Sequence, residues 1–156
     1  MLQADLNILS EWCNTNKLYF NIDKCKVISF TRSRNPLLQV YRINNSQLCR
    51  VNDICDLGVI FDTTLSFNKH LINIISKSSS ILGFITRNCK DFTNIDTLKT
   101  LFTLLVRTKL EYNSVVWCPY SKTQTQSLNN VQNRFLHFIL FKCNIIREPH
   151  LSINHC

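Results

Sequence analysis

The sequence predicts an α+β chain: a helix with a small antiparallel sheet over residues 1–64, a three-helix bundle over 65–142, and a tail over 143–156. Three observations carry this. The apolar repeat changes after Ser66 from a period of about two to one of about three and a half residues. Only 2 Gly and 3 Pro punctuate 156 residues, too few for a turn-dense all-β fold. With 45% hydrophobic and 18% charged residues, the composition is globular, and a chain of this length can bury a core.

The elements follow in order. Leu2, Leu6, Leu9 and Cys13 recur at helical spacing with Trp12 beside them, so residues 2–13 predict an amphipathic helix. There is no room for a capping residue before Leu2, and a chain truncated inside a helix is the expectation. Residues 26–31, 38–43 and 47–51 are short β-rich runs, with Asn35-Pro36 and Asn44-Asn45 supplying turns. Residues 54–61 predict a further strand in which Gly58 marks a bend or a close backbone approach. Leu71, Ile74, Ile75, Ser78, Leu82 and Ile85 form one stripe of a helix over 67–87, with Ser66 as its cap and Lys69 and Arg87 on the opposite face. In a second helix over 95–112, capped by Asn94, Leu98, Leu101, Phe102 and Leu105 make a stripe that Leu104, Val106 and Leu110 widen. Burial on more than one side is expected there. Leu128, Val131, Phe135, Phe138 and Ile139 align on a third helix over 124–142.

Eighteen Lys and Arg against ten Asp and Glu give a net charge of +8, which favours polyanionic partners. The charge is concentrated in residues 31–50, with four Arg and no acid, and in 76–110, with six bases and two acids. The scarcity of glycine argues against a Gly-rich phosphate loop. The eight cysteines include no pair at the two-residue spacing of zinc sites and are expected to be reduced, mostly buried thiols in an intracellular protein. Cys25, between Lys24 and Lys26, has no nearby His to make it a hydrolase nucleophile. His150, His155 and Cys156 make a poor metal set on a tail, so no metal is expected in this chain. The longest strongly apolar run, residues 135–141 broken by His137, is well short of the roughly 20 residues of a membrane span, and no membrane partner is expected.

Several motifs occur in order over residues 2–136. Leu2-Gln3-Ala4-Asp5-Leu6, Glu11-Trp12-Cys13, Asn21-Ile22-Asp23-Lys24-Cys25 and Phe30 come first. Asp56-Leu57-Gly58-Val59 with Asp62, Leu65-Ser66-Phe67 and His70 follow. Leu82-Gly83-Phe84-Ile85-Thr86-Arg87, Leu105-Val106-Arg107, Leu110-Glu111-Tyr112, Val116-Trp117 with Pro119, and Val131-Gln132-Asn133-Arg134-Phe135 complete the series. Together they resemble the part of a non-LTR retrotransposon reverse transcriptase, of the jockey-like group especially, that follows the catalytic aspartates: the end of the palm, the primer grip and the thumb.

The resemblance implies an RNA-directed DNA polymerase acting on an RNA template and a DNA primer in the nucleus or cytoplasm. It gives Lys24 the place of a motif D lysine, a proton donor to the leaving pyrophosphate, and Leu57, Gly58 and Val59 that of the primer grip. Lys69, Lys77, Arg87, Lys99, Arg107 and Lys109 would track phosphates along the primer–template; six such contacts would give a log–log salt slope of roughly −4 to −5. Arg32, Arg34, Arg42 and Arg50 are candidates for a second contact. Phe102, Tyr112 and Trp117 are possible stacking platforms, although aromatics beside a helical stripe are more often core. The family holds Mg²⁺ on an adjacent Asp-Asp pair in the upstream palm. No such pair exists here. The expectation is therefore a portion that needs a missing upstream polymerase part, has no cofactor of its own, and does not polymerise alone. The competing expectations are a truncated, non-catalytic remnant that binds nucleic acid weakly, and an unrelated basic helical interaction module.

Overall fold

The computed structural model describes residues 2–31, 33, 35–36 and 38–143. The fold is α+β. Its contacts divide the chain between Lys69 and His70 into two units.

In the first unit, α1 (Leu2–Thr15) leads through a 3-10 turn (Ile22–Lys24) to β1 (Lys26–Val27), β2 (Arg42–Ile43), β3 (Ser46–Gln47), β4 (Cys49–Arg50), β5 (Asp53–Asp56) and β6 (Val59–Asp62). The expected small sheet is three separate two-stranded ladders. β2–β3 and β5–β6 are antiparallel, and β1–β4 is parallel with Lys26 opposite Cys49 and Val27 opposite Arg50. Both hairpins close through two residues at positive φ: Asn44 (48°) and Asn45 (64°), then Leu57 (45°) and Gly58 (83°). That is the type I′ geometry, whose twist matches paired strands. Residues 54–61 are thus a hairpin rather than one strand, because Gly58 permits a full reversal where a bend was expected.

The buried face of α1 also departs from expectation. Leu2 and Leu9 are exposed, and Ser10 and Cys13 are buried, with Leu6 half-buried between them and Gln3. The cause is polar. The Gln3 amide donates to the Arg42 carbonyl at 2.8 Å and accepts from the Arg42 N–H at 2.9 Å, so that it pairs with β2 as a neighbouring strand would and turns its own face of the helix inward.

β6 passes into α2 (Asn68–Asn88) through a turn built on Asp62. Its carboxylate accepts from Thr64 N–H (2.9 Å) and O–H (2.6 Å), from Ser66 N–H (3.1 Å) and O–H (2.8 Å), and from Phe67 N–H (3.0 Å). Asp62 satisfies the Phe67 N–H just ahead of the helix, and Ser66 Oγ, the expected cap, accepts from the Asn68 N–H that opens it at 3.4 Å. The carboxylate also offsets the cost of Leu65 and Phe67 at φ 55°, about 1–2 kcal/mol each.

The second unit contains most of α2, then α3 (Ile95–Phe102), a π-helical turn (Thr103–Arg107), α4 (Thr108–Glu111), α5 (Ser114–Trp117) and α6 (Lys122–Lys142). Asn94 caps α3, accepting from Asp96 and Thr97 N–H. The core joins Leu82 and Ile85 of α2 and Cys89 just after it to Leu98, Phe102 and Val106 and to Val131 and Phe135 of α6, and the Phe102 and Phe135 rings stack at 4.1 Å. Lys142 Nζ donates to the Lys90 and Phe92 carbonyls, tying the end of α6 to the α2–α3 connection. Leu104 and Leu105 are exposed, so the second helix is not buried on several sides. In a regular α-helix Leu98, Phe102 and Val106 would drift by about 40° per step; the wider π turn, closed by Thr108 N–H to Thr103 C=O, holds them on the core side and rotates Leu105 out. The short α5 after Asn113, which is left-handed at φ 53°, had no periodic signal to announce it.

Replacing Asp62 with Ala should cost about 2–4 kcal/mol, since five donors lose one charged acceptor. Denaturant unfolding followed by circular dichroism measures this, and a loss below about 0.5 kcal/mol would remove Asp62 from its place in the turn.

Candidate nucleic-acid interface

Lys24 is exposed at the end of the 3-10 turn, where Asn21 Oδ1 accepts from its backbone N–H at 3.3 Å. Its amine makes no ion pair among the described residues. Leu57, Gly58 and Val59 form the end of the β5–β6 hairpin. Leu57 is 79% exposed at its tip, and Val59 is buried beneath it. A second strand could approach the tip; Val59 is part of the core.

The six helix bases divide into two sets. Lys69 pairs with Asp53 of β5, Lys99 with Asp96 at 3.3 Å, and Arg107 with Glu111 at 2.6 Å. Such exposed pairs add little stability, but each offsets a positive charge. Lys77, Arg87 and Lys109 are exposed and have no acidic partner among the described residues. Arg87 lies back along α2, with Nη1 3.2 Å from where a Cβ on Gly83 would stand. Beyond Lys69 the sequence carries ten bases against four acids, so the second unit holds most of the excess positive charge.

The other candidates are dispersed. Arg42 is exposed, and Arg50 donates one N–H to Ser29 Oγ (2.5 Å) and another to the Gln39 carbonyl (2.6 Å). Arg32, Arg34, His150, His155 and Cys156 lie outside the described residues. Phe102 and Trp117 are buried, which removes both as stacking platforms; Tyr112 is exposed. Of the seven described cysteines, only Cys13 and Cys89 are buried, while Cys49, Cys55 and Cys118 are exposed, contrary to the expectation of mostly buried thiols. Cys49 and Cys55 stand on two-stranded ladders, and Cys118 follows the end of α5. No group of three or more His, Cys, Asp or Glu is placed to hold a metal ion among the described residues.

His70 and Trp117 form a joint that periodicity alone did not single out. Their rings lie 5.4 Å apart, His70 is 1% exposed, and Trp117 Nε1 donates to the Tyr112 carbonyl at 2.8 Å. Burial pushes the His70 imidazole below its ordinary value, and Lys77, two turns along α2, pushes it the same way. Asp62 is held below the ordinary carboxylate range: burial raises it, and the hydrogen bonds from Thr64 and Ser66 more than reverse that.

No family model matches the chain, and neither the curated proteins nor the solved structures return a match. Among the described residues no helix is long and apolar enough to cross a membrane.

The folded chain resists protonating His70 more than the unfolded chain does, so the stability it contributes is complete above about pH 6.5 and declines as pH falls below it. The Asp62 contribution runs in the same direction but begins to decline only near pH 4. The melting temperature should therefore fall between about pH 7 and pH 5, and His70→Gln should flatten that interval while leaving the steeper loss below about pH 4. An unchanged slope in the variant would assign the dependence elsewhere.

Proposed function

We propose that this chain is the C-terminal palm, primer-grip and thumb portion of a jockey-like non-LTR retrotransposon reverse transcriptase, holding an RNA template and a DNA primer inside the cell while upstream residues perform the phosphoryl transfer. The observation that carries the reading is the ordered series of motifs over residues 2–136. It is supported by where those residues fall. Leu57-Gly58 makes a hairpin tip, Asp62 with Ser66-Phe67 makes the entry to α2, and His70 meets Trp117 across 47 residues of sequence. Residues that look like scattered motif letters are thus the joints of the fold.

In this reading Lys77, Arg87 and Lys109 contact backbone phosphates without reading bases, and the exposed hairpin tip lies against the primer strand. Lys24 is the proton donor to the leaving group. Magnesium would supply the electrostatic clamp on the reacting phosphate; the described carboxylates do not fit it, and the reading assigns it to aspartates of a palm segment outside this sequence. A non-catalytic remnant remains the second reading, favoured by the three paired bases, which leave a weak phosphate surface.

Three unpaired bases in place of six predict a log–log salt slope of roughly −2 to −3 for an RNA–DNA hybrid. Fluorescence anisotropy over a salt series measures it. Joint replacement of Lys77, Arg87 and Lys109 by Gln should lose most of the affinity, and the same change at Lys69, Lys99 and Arg107 should lose little. Equal losses from the two sets would remove the interface.

Supplied with an upstream palm fragment carrying the aspartate pair, the full chain should extend a primed RNA with Mg²⁺ and nucleotides. Lys24→Gln should then slow single-turnover extension by about 100-fold with unchanged hybrid affinity. Hybrid binding without extension by the reconstituted pair would favour the remnant.

A further inference from the structure

The first unit contains a cleft of about 430 Å³ that the polymerase reading does not use, bounded by Ser29, Thr31 and Ser33, by Arg50 to Asn52, and by Thr63 and Thr64, with Pro36 and Leu38 at its side. Its lining is polarised. Arg50 Nη1 donates to Ser29 Oγ at 2.5 Å, Ser33 N–H donates to Thr31 Oγ1 at 3.0 Å, and Asn35 N–H donates to Ser33 Oγ at 3.3 Å. Each of these three hydroxyls already accepts, so each has its single O–H left to donate. No protein acceptor takes those hydrogens among the described residues. Arg50 also holds the Gln39 carbonyl, and two bonds leave three of its five N–H groups. The exposed Asn52 amide adds a further donor. The exception is Thr64, whose O–H goes to Asp62. Among the described residues no carboxylate lines the cleft; of the two that adjoin it in sequence, Asp62 is saturated by its own donors and Asp53 pairs with Lys69.

An excess of donors beside a guanidinium, with no lining acid, is complementary to a group that only accepts and carries negative charge. Phosphate is such a group, but it alone is far smaller than the cleft, whose volume lies in the range of small-molecule sites. The remaining wall, Pro36, Leu38 and Val51, is apolar and suits the carbon skeleton attached to it. We infer that this cleft binds a phosphate group together with the small organic group that carries it. Lys77, Arg87 and Lys109 do not line it, so this inference and the nucleic-acid reading fail separately.

The test titrates the full chain with inorganic phosphate, with AMP and with a short 5′-phosphorylated DNA strand, following heat and backbone amide shifts. AMP should saturate with a Kd below about 1 mM and bind about tenfold more tightly than inorganic phosphate, moving the amides of Thr31, Ser33, Asn52 and Thr63. Ser33→Glu places a carboxylate at an exposed position and should abolish binding with the circular dichroism spectrum unchanged. Arg50→Gln should weaken it at least about tenfold; if that variant unfolds, Ser33→Glu decides. The triple variant at Lys77, Arg87 and Lys109 should bind AMP as the parent does. Binding of the DNA strand alone, lost in Ser33→Glu, would support the site and make its source a strand phosphate. No saturation by any probe, or binding that survives Ser33→Glu, overturns the inference.

Discussion

The Asp62 carboxylate is the interaction on which the change from strand to helix depends. β6 ends and α2 begins within six residues, and two of those, Leu65 and Phe67, adopt a backbone conformation that side chains disfavour. One carboxylate makes this tolerable by collecting five hydrogen bonds from the turn that it starts. A neutral cap could not accept as many, and a charge there also complements the positive end of a 21-residue helix. The edge contacts of Phe61 with Phe30 and with Phe67 lie at the same turn, Phe67 making its contact at φ 55°.

Charge in this protein is less available than its sum suggests. The net +8 invites a polyanion, yet half of the bases on the first two bundle helices face acids. Two of those pairs lie at helical i,i+3 and i,i+4 spacing, where pairing follows from local geometry. Asp53–Lys69 instead joins the β5–β6 hairpin to the first turn of α2. Arg50, by contrast, is charge turned inward, where it organises a loop and the polar side of a cleft.

Much of the fold was legible because helices write their packing into the period of the sequence. Leu71, Ile74, Ser78, Leu82 and Ile85 are buried as their spacing required, and Asn94 caps the helix it precedes. What escaped was decided by single polar contacts. Gln3 turned α1, and Asp62 gathered the turn ahead of the Ser66 cap. Gly58 gave a reversal because Leu57 also takes positive φ, a choice that hydrophobic pattern does not encode. Of the candidate interface, the identity of the bases was readable, but which of them meet acids was settled by helix register and, for Lys69, by a hairpin distant in sequence. The donor-rich cleft depends on hydroxyls whose acceptor roles only the fold assigns.

The π turn at Thr103–Arg107 has a consequence for comparing this chain with others. A π turn contains one residue more than the α turn it replaces. A relative with a regular helix here would match Leu98 and Phe102 in one frame and Leu110 in the next. Sequence comparison across the segment therefore needs a one-residue gap inside a helix, where gaps are ordinarily forbidden. A comparison that refuses it would align the exposed Leu105 with the relative's core position and put Val106 outside, splitting one continuous helix into two unrelated matches.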